Sequence, residues 1–253
     1  TADVDISVTT ADKTTIPAFT YAATENGSYG SDIPTFIDAG EHKVYFRMTD
    51  PKGNHEVFSG SFTVTIDPKT VTAPTIELTG DRTYTGAEIK PAVTVKDGET
   101  KIPASEYTVE YSNNTNAGTA TVIIHDAAGG NYTVSGDTTF EIEKATVSAP
   151  AAAELTVYNG LDKTYLVKLP ALPTLKSPET YGETTYTVKS VALGNYYTGD
   201  ALIKKGKLTL PINAVTTAQE GKIGEVTVTV TTTNYNDITL TVNVSAANKI
   251  VPT

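Results

Sequence analysis

His42, His55 and His125 are the only histidines in the 253 residues. None belongs to a helical pair of the kind that builds a metal centre, and all three fall in strand or turn patterns, where an isolated imidazole is a surface residue. Cysteine is absent, so the chain has no thiolate nucleophile, no disulfide framework and no cysteine-ligated zinc. Serine and threonine are abundant, but no nucleophile elbow, phosphate-cradling glycine loop or zinc-protease motif frames them. The 29 acids are scattered and single out no glycosidase-like pair. The expectation is a chain that catalyses nothing, with no cofactor.

Two groups of loop residues carry oxygen ligands of the kind a calcium ion takes: Asp50 with Asn54, and Asn234 with Asn236 and Asp237. The same residues suit ordinary Asx turns, and no spaced Asp-x-Asp-x-Asp-Gly loop accompanies them, so turn chemistry is expected and no metal site is assigned. Tyr196 and Tyr197, following Gly194-Asn195, are the densest aromatic candidates for a ligand site, since adjacent loop rings that both face solvent can stack on a sugar. Tryptophan, with the larger stacking face, is absent. Edge or corner positions in a sandwich are the competing reading of these tyrosines.

These side chains must be positioned by strands. Threonine is the most abundant residue and, with Val, Ile and Tyr, gives the β-branched and aromatic bias that suits pleated, half-buried surfaces. Helix signals are scarce, and Val215 to Lys222 reads as one short turn at most. The stretch Ile66-Asp67-Pro68-Lys69-Thr70-Val71-Thr72-Ala73-Pro74 recurs without a gap as Ile142-Glu143-Lys144-Ala145-Thr146-Val147-Ser148-Ala149-Pro150, 76 residues later. Each seam follows an alternating run, Phe62-Val64-Ile66 or Phe140-Ile142, whose period of two places one set of side chains on one face. Ile37-Asp38-Ala39-Gly40 before Val44 and Phe46 matches Thr115-Asn116-Ala117-Gly118 before Val122 and Ile124. Gly53-Asn54-His55 and Gly130-Asn131-Tyr132 each mark a turn before a last strand, and Asn234-Tyr235-Asn236-Asp237 holds that place near the end.

Three modules follow: residues 1–69, 70–145, and a longer, divergent 146–253. Tyr158-Asn159-Gly160 in the third echoes Tyr84-Thr85-Gly86 in the second, and Leu202 to Leu210 reads as a hairpin with a Gly-containing turn. Lys204, Lys205 and Lys207 make its tip a solvated, edge-protecting feature. Proline in the seams biases them to extended geometry and predicts a semi-rigid rod of modules end to end. A Lys–Asn isopeptide lock is not expected, because Asn243 alternates away from Leu240, Val242 and Val244.

Tyr84-Thr85-Gly86-Ala87-Glu88-Ile89-Lys90-Pro91, Val93-Thr94-Val95, Tyr107-Thr108-Val109, Tyr111 to Gly118 and Gly130-Asn131-Tyr132 together resemble the bacterial immunoglobulin-like, MBG-type repeats of Gram-positive surface proteins. The first module is similar to a sibling repeat at Asp38-Ala39-Gly40, Val44-Tyr45-Phe46 and Gly60 to Val64. The third matches only at Tyr158-Asn159-Gly160 and in its Thr-rich ending. The resemblance implies an all-β fold of tandem Ig-like antiparallel sandwiches, an extracellular or wall-attached location, and stalk or adhesive service with no catalytic residue. Expected partners are an extracellular glycan or a host surface protein, with the chain itself a monomer. A carbohydrate-binding unit of a secreted polysaccharide-degrading enzyme is the alternative.

Net charge is −10 and uneven: five basic against ten acidic residues up to position 70, five against eleven from 71 to 146, and nine against eight thereafter. Acidic modules repel phosphate backbones and anionic headgroups, so neither nucleic acid nor a membrane surface is an expected partner. No apolar run approaches the roughly 20 residues of a spanning helix. A start at Thr1 without a charged-then-apolar leader leads us to expect export signal and anchor outside this stretch.

Overall fold

The computed structural model describes residues 19–49, 56–215 and 219–248. Alternation decides the local structure nearly everywhere. β1 (Phe19–Ala22), β2 (Gly40–Met48) and β3 (Phe58–Ile66) form an antiparallel sheet in the order β1-β2-β3. On it Phe46 stacks with Phe19, Phe58 and Phe62 at ring separations of 5.6, 5.8 and 6.5 Å, around fully buried Val44. The seam strand β4 (Lys69–Val71) leads into β5 (Pro74–Thr79), β6 (Ala92–Asp97), β7 (Thr100–Lys101), β8 (Tyr107–Ser112), β9 (Gly118–Asp126), β10 (Tyr132–Val134) and β11 (Gly136–Ile142). These make sheets in the orders β5-β6-β7 and β11-β9-β8, with β10 pairing β4 in parallel. Ala120, Val122 and Ile124 on β9, and Phe140 and Ile142 on β11, are buried at every second position, as one-sided sheets require.

The last stretch supplies β12 (Ala153–Tyr158), β13 (Lys163–Lys168), β14 (Thr184–Ala192), β15 (Leu202–Lys204), β16 (Lys207–Ile212), β17 (Gly221–Thr232) and β18 (Ile238–Ala247). One sheet runs β12-β18-β17-β14 and the other β13-β16-β15. Val226, Val228 and Val230 of β17, Leu240, Val242 and Val244 of β18, and Leu208, Leu210 and Ile212 of β16 meet in one core cluster. Two sheets closing on one apolar layer make a sandwich. β12 lies parallel to β18, whereas β14, β17 and β18 are antiparallel neighbours. The all-β class of packed, largely antiparallel sheets expected from the sequence is the observed one. The hairpin at 202–210 forms as expected, its Lys205-Gly206 turn having both φ angles positive, at 50° and 71°. Asn243 faces outward, its amide donating to Glu154 at 2.7 Å.

By contact the chain divides into two compact units. One comprises Thr1–Leu78, Val93–Glu110 and Ile123–Thr138, and the other Thr79–Ala92, Tyr111–Val122 and Thr139–Thr253.

Strand β17 slips register against β18 between Lys222 and Gly224, a bulge that bends it over the core. Gly224 has φ of +155°, and a Cβ there would collide with the carbonyl oxygen of Ala192. Gly206 in the hairpin turn has open space around it. Gly224→Ala should therefore cost more than about 2 kcal/mol of unfolding free energy, and Gly206→Ala about 1, in urea titrations of each variant.

Candidate functional site

A catalytic centre needs converging groups, and the candidates do not converge. His42 is stacked on Phe36 at 4.3 Å, with its Nε2 2.8 Å from the Asp38 carbonyl oxygen. His125 is exposed, with its Nε2 3.5 Å from Glu110 alone. His55, Asp50 and Asn54 lie outside the described residues. Among the described residues no three metal-ligating side chains cluster. Tyr196 and Tyr197 do not face solvent together. A turn of 3-10 helix over Gly194–Tyr196 swings Tyr196 into the core, where it is 4% exposed and donates its hydroxyl to Asn159 Oδ1 at 2.7 Å. Tyr197 is half-buried, its hydroxyl accepting from the Ala201 N–H. A recess of about 490 Å³ beside them is lined by Leu193, Asn195, Val215, Gln219 and Ile223, without acid, base or nucleophile.

What the structure does bring together are the recurrent sequence elements around the two seams. In one unit, the Asn131 side chain bridges the turn at Asp38-Ala39: its Oδ1 accepts the Ala39 N–H at 2.6 Å and its Nδ2 donates to Asp38 Oδ1 at 3.1 Å. Its carbonyl oxygen accepts the Lys69 N–H at 2.8 Å, fixing the first seam strand. Lys69 Nζ then reaches Asp97 at 2.7 Å.

In the other unit, Asn234 repeats the three asparagine bonds, without the ion pair, since Ala145 stands where Lys69 does. Its Oδ1 accepts the Ala117 N–H at 3.0 Å, its Nδ2 donates to Asn116 Oδ1 at 3.2 Å, and its carbonyl oxygen accepts the Ala145 N–H of the second seam at 3.0 Å. The second amide hydrogen goes to the Thr180 carbonyl at 3.2 Å, so the fully buried side chain uses its acceptor and both donors. The sequence singled out both asparagines only as turn residues, and Asn234 as a possible cation ligand. Its oxygen is instead committed to a backbone N–H, while Asn236 donates to Thr146 and Asp237 points to solvent.

Aromatic packing surrounds the second pin. Tyr235 meets Tyr84 edge-on at 5.7 Å and Tyr181 at 5.1 Å, and donates its hydroxyl to Glu179 at 2.9 Å. The Thr180 N–H donates to the Tyr84 hydroxyl at 2.9 Å. Gly86 lies so close to the Pro178-Glu179 backbone that a Cβ would come within 2.6 Å of the Glu179 nitrogen, which is why the Tyr-x-Gly sequence ends in glycine. Burial, then the bond to Glu179 and its charge, push the Tyr235 hydroxyl up to about 12. The signal in the sequence is the pairing of the repeats: for Asn131-Tyr132 and Asn234-Tyr235, the partner turn carries a side-chain oxygen two residues before its glycine, at Asp38 and at Asn116.

No protein-family model and no curated protein matches the chain. Solved structures align with it over much of its length at low TM-scores. Zebrafish RET cadherin-like domains 1 to 4 superpose over 92% of this chain at a TM-score of 0.29 and 11% identity. The Bacteroides ovatus mixed-linkage glucan utilization locus protein SGBP-B, solved with a mixed-linkage heptasaccharide, does so over 91% at 0.17 and 14%. The tandem Ig repeats of Dlar cover 70% at 0.20 and 13%. The chain spans 65% and 61% of the first two structures and 98% of the third.

Removing the Asn234 carboxamide empties a buried polar site and leaves the half-buried Ala117 N–H and two oxygens without it. Asn234→Ala should lower unfolding free energy by about 2 to 4 kcal/mol in chemical denaturation. The Tyr235 hydroxyl titrates above its ordinary value of 10, so its contribution is whole below pH 10 and is lost as pH climbs from 10 to 12. Over that interval the melting temperature of Tyr235→Phe should fall less steeply than that of the parent.

Proposed function

We propose that this chain is a non-catalytic structural and adhesive segment of an exported bacterial surface protein, its modules 1–69, 70–145 and 146–253 pinned at their seams to present a binding partner. One observation carries the reading: an asparagine closes the same set of bonds at both seams, its carboxamide on the turn of the preceding repeat and its main-chain oxygen on the seam N–H. Such bonds leave little freedom for a hinge, which suits load-bearing and would hinder a lid or a cleft that opens. The resemblance to MBG-type repeats supports the extracellular assignment and a glycan or host surface protein as the partner. The glycan-binding alternative has no exposed tyrosine pair at 196 and 197 to carry it.

Load transfer through the pin predicts protected seam amides. In hydrogen exchange on the full chain, the Ala117 and Ala145 N–H groups should exchange nearly as slowly as those of β17, and Asn234→Ala should speed both while sparing β17. Fast exchange of these two amides in the parent would overturn the pinned-seam reading.

A further inference from the structure

Charge counting makes residues 147–253 almost neutral, but register segregates the charge. Along β16, Leu208, Leu210 and Ile212 point into the core, so Lys207 and Thr209 point out. Strand pairing sets Leu166 and Leu202 on either side of Thr209, and Lys168 and Lys204 on either side of Lys207. The outer face of the β13-β16-β15 sheet thus carries an apolar row beside a row of three lysines, strands about 4.8 Å apart. Lys205, in the turn, adds a fourth cation at the same end.

Edge protection accounts for Lys204 on the edge strand β15, but Lys207 lies on the central strand β16, and the row as a whole works against the fold. Like charges directly opposite across a sheet destabilise it, and among the described residues none of the four lysines has an anionic partner. Leu166 is 70% exposed and Leu202 51%, on a face where solvent favours polar residues. A soluble polyanion would use the lysines and leave the leucines idle, and a sugar would want an aromatic platform. An anionic lipid surface uses both rows at once: ammonium groups among the headgroups, leucines at the acyl boundary.

We propose that this sheet face is a peripheral docking site for an anionic lipid surface, lying against it without spanning. The inference does not rest on the seam reading. Each lysine near such a surface is worth about fivefold in affinity.

The test is sedimentation of the full chain with phosphatidylcholine–phosphatidylglycerol vesicles and with phosphatidylcholine vesicles alone. The expected result is retention on the anionic vesicles only, weakened by salt. A variant combining Lys168→Gln, Lys204→Gln and Lys207→Gln should lose about a hundredfold while melting no lower than the parent, since it relieves repulsion. Leu166→Ser with Leu202→Ser should also weaken retention, whereas Lys43→Gln with Lys101→Gln and Lys222→Gln should not. No retention on anionic vesicles, or retention indifferent to the lysine row, overturns the proposal. So does binding to a soluble sulfated polymer without binding to vesicles.

Discussion

A buried carboxamide organises the second seam. Asn234 is inaccessible to solvent, so each of its polar groups must be paired within the protein or charge the fold its full desolvation cost. Its partners come from three separated stretches: Asn116-Ala117, Ala145 and Thr180-Tyr181. Satisfying this one residue, side chain and main chain together, therefore fixes three loops at once. The tyrosines packed around it follow from that fixation, because Tyr84, Tyr181 and Tyr235 can meet only when those loops are in register.

The core of the last stretch is a different kind of constraint. Alternating β-branched residues on β17 and β18 face Leu208, Leu210 and Ile212 across one apolar layer, and that layer depends on period rather than on any single bond. The bulge at Gly224 is where the period is interrupted, and the small residue lets the Ala192 carbonyl approach. Core and pin have complementary jobs. The first gives a sandwich its stability, and the second gives the seam its geometry.

Much of this architecture was legible in the chain itself. The all-β class, the hairpin at 202–210 and the outward turn of Asn243 follow from period and turn chemistry, which are local. The pins are not legible as pins, because an asparagine in a turn is equally well explained by an Asx turn, and the turn each one closes lies more than 90 residues away. The sugar-stacking reading of Tyr196 loses its exposed ring for a related reason: adjacency in a loop says nothing about a 3-10 turn that sends one ring inward. The lysine row was hidden because Lys168 and Lys207 become neighbours only through strand register. The first loop candidate, at Asp50 and Asn54, lies outside the described residues.

The two pins differ in one partner, and burial accounts for the difference. Asn131 is only partly buried, and the bond it gives to Asp38 lies open to water. A carboxylate there keeps its hydration and strengthens the bond through its charge. Asn234 is enclosed, and the oxygen it meets belongs to Asn116, a neutral amide. A carboxylate at 116 would give up part of its water to a buried partner carrying no compensating cation, an expense that grows with that partner's enclosure. Asp38 and Asn116 are both exposed, so the same bond pattern is written with an acid where the pinning asparagine is itself half open to water and with an amide where it is enclosed.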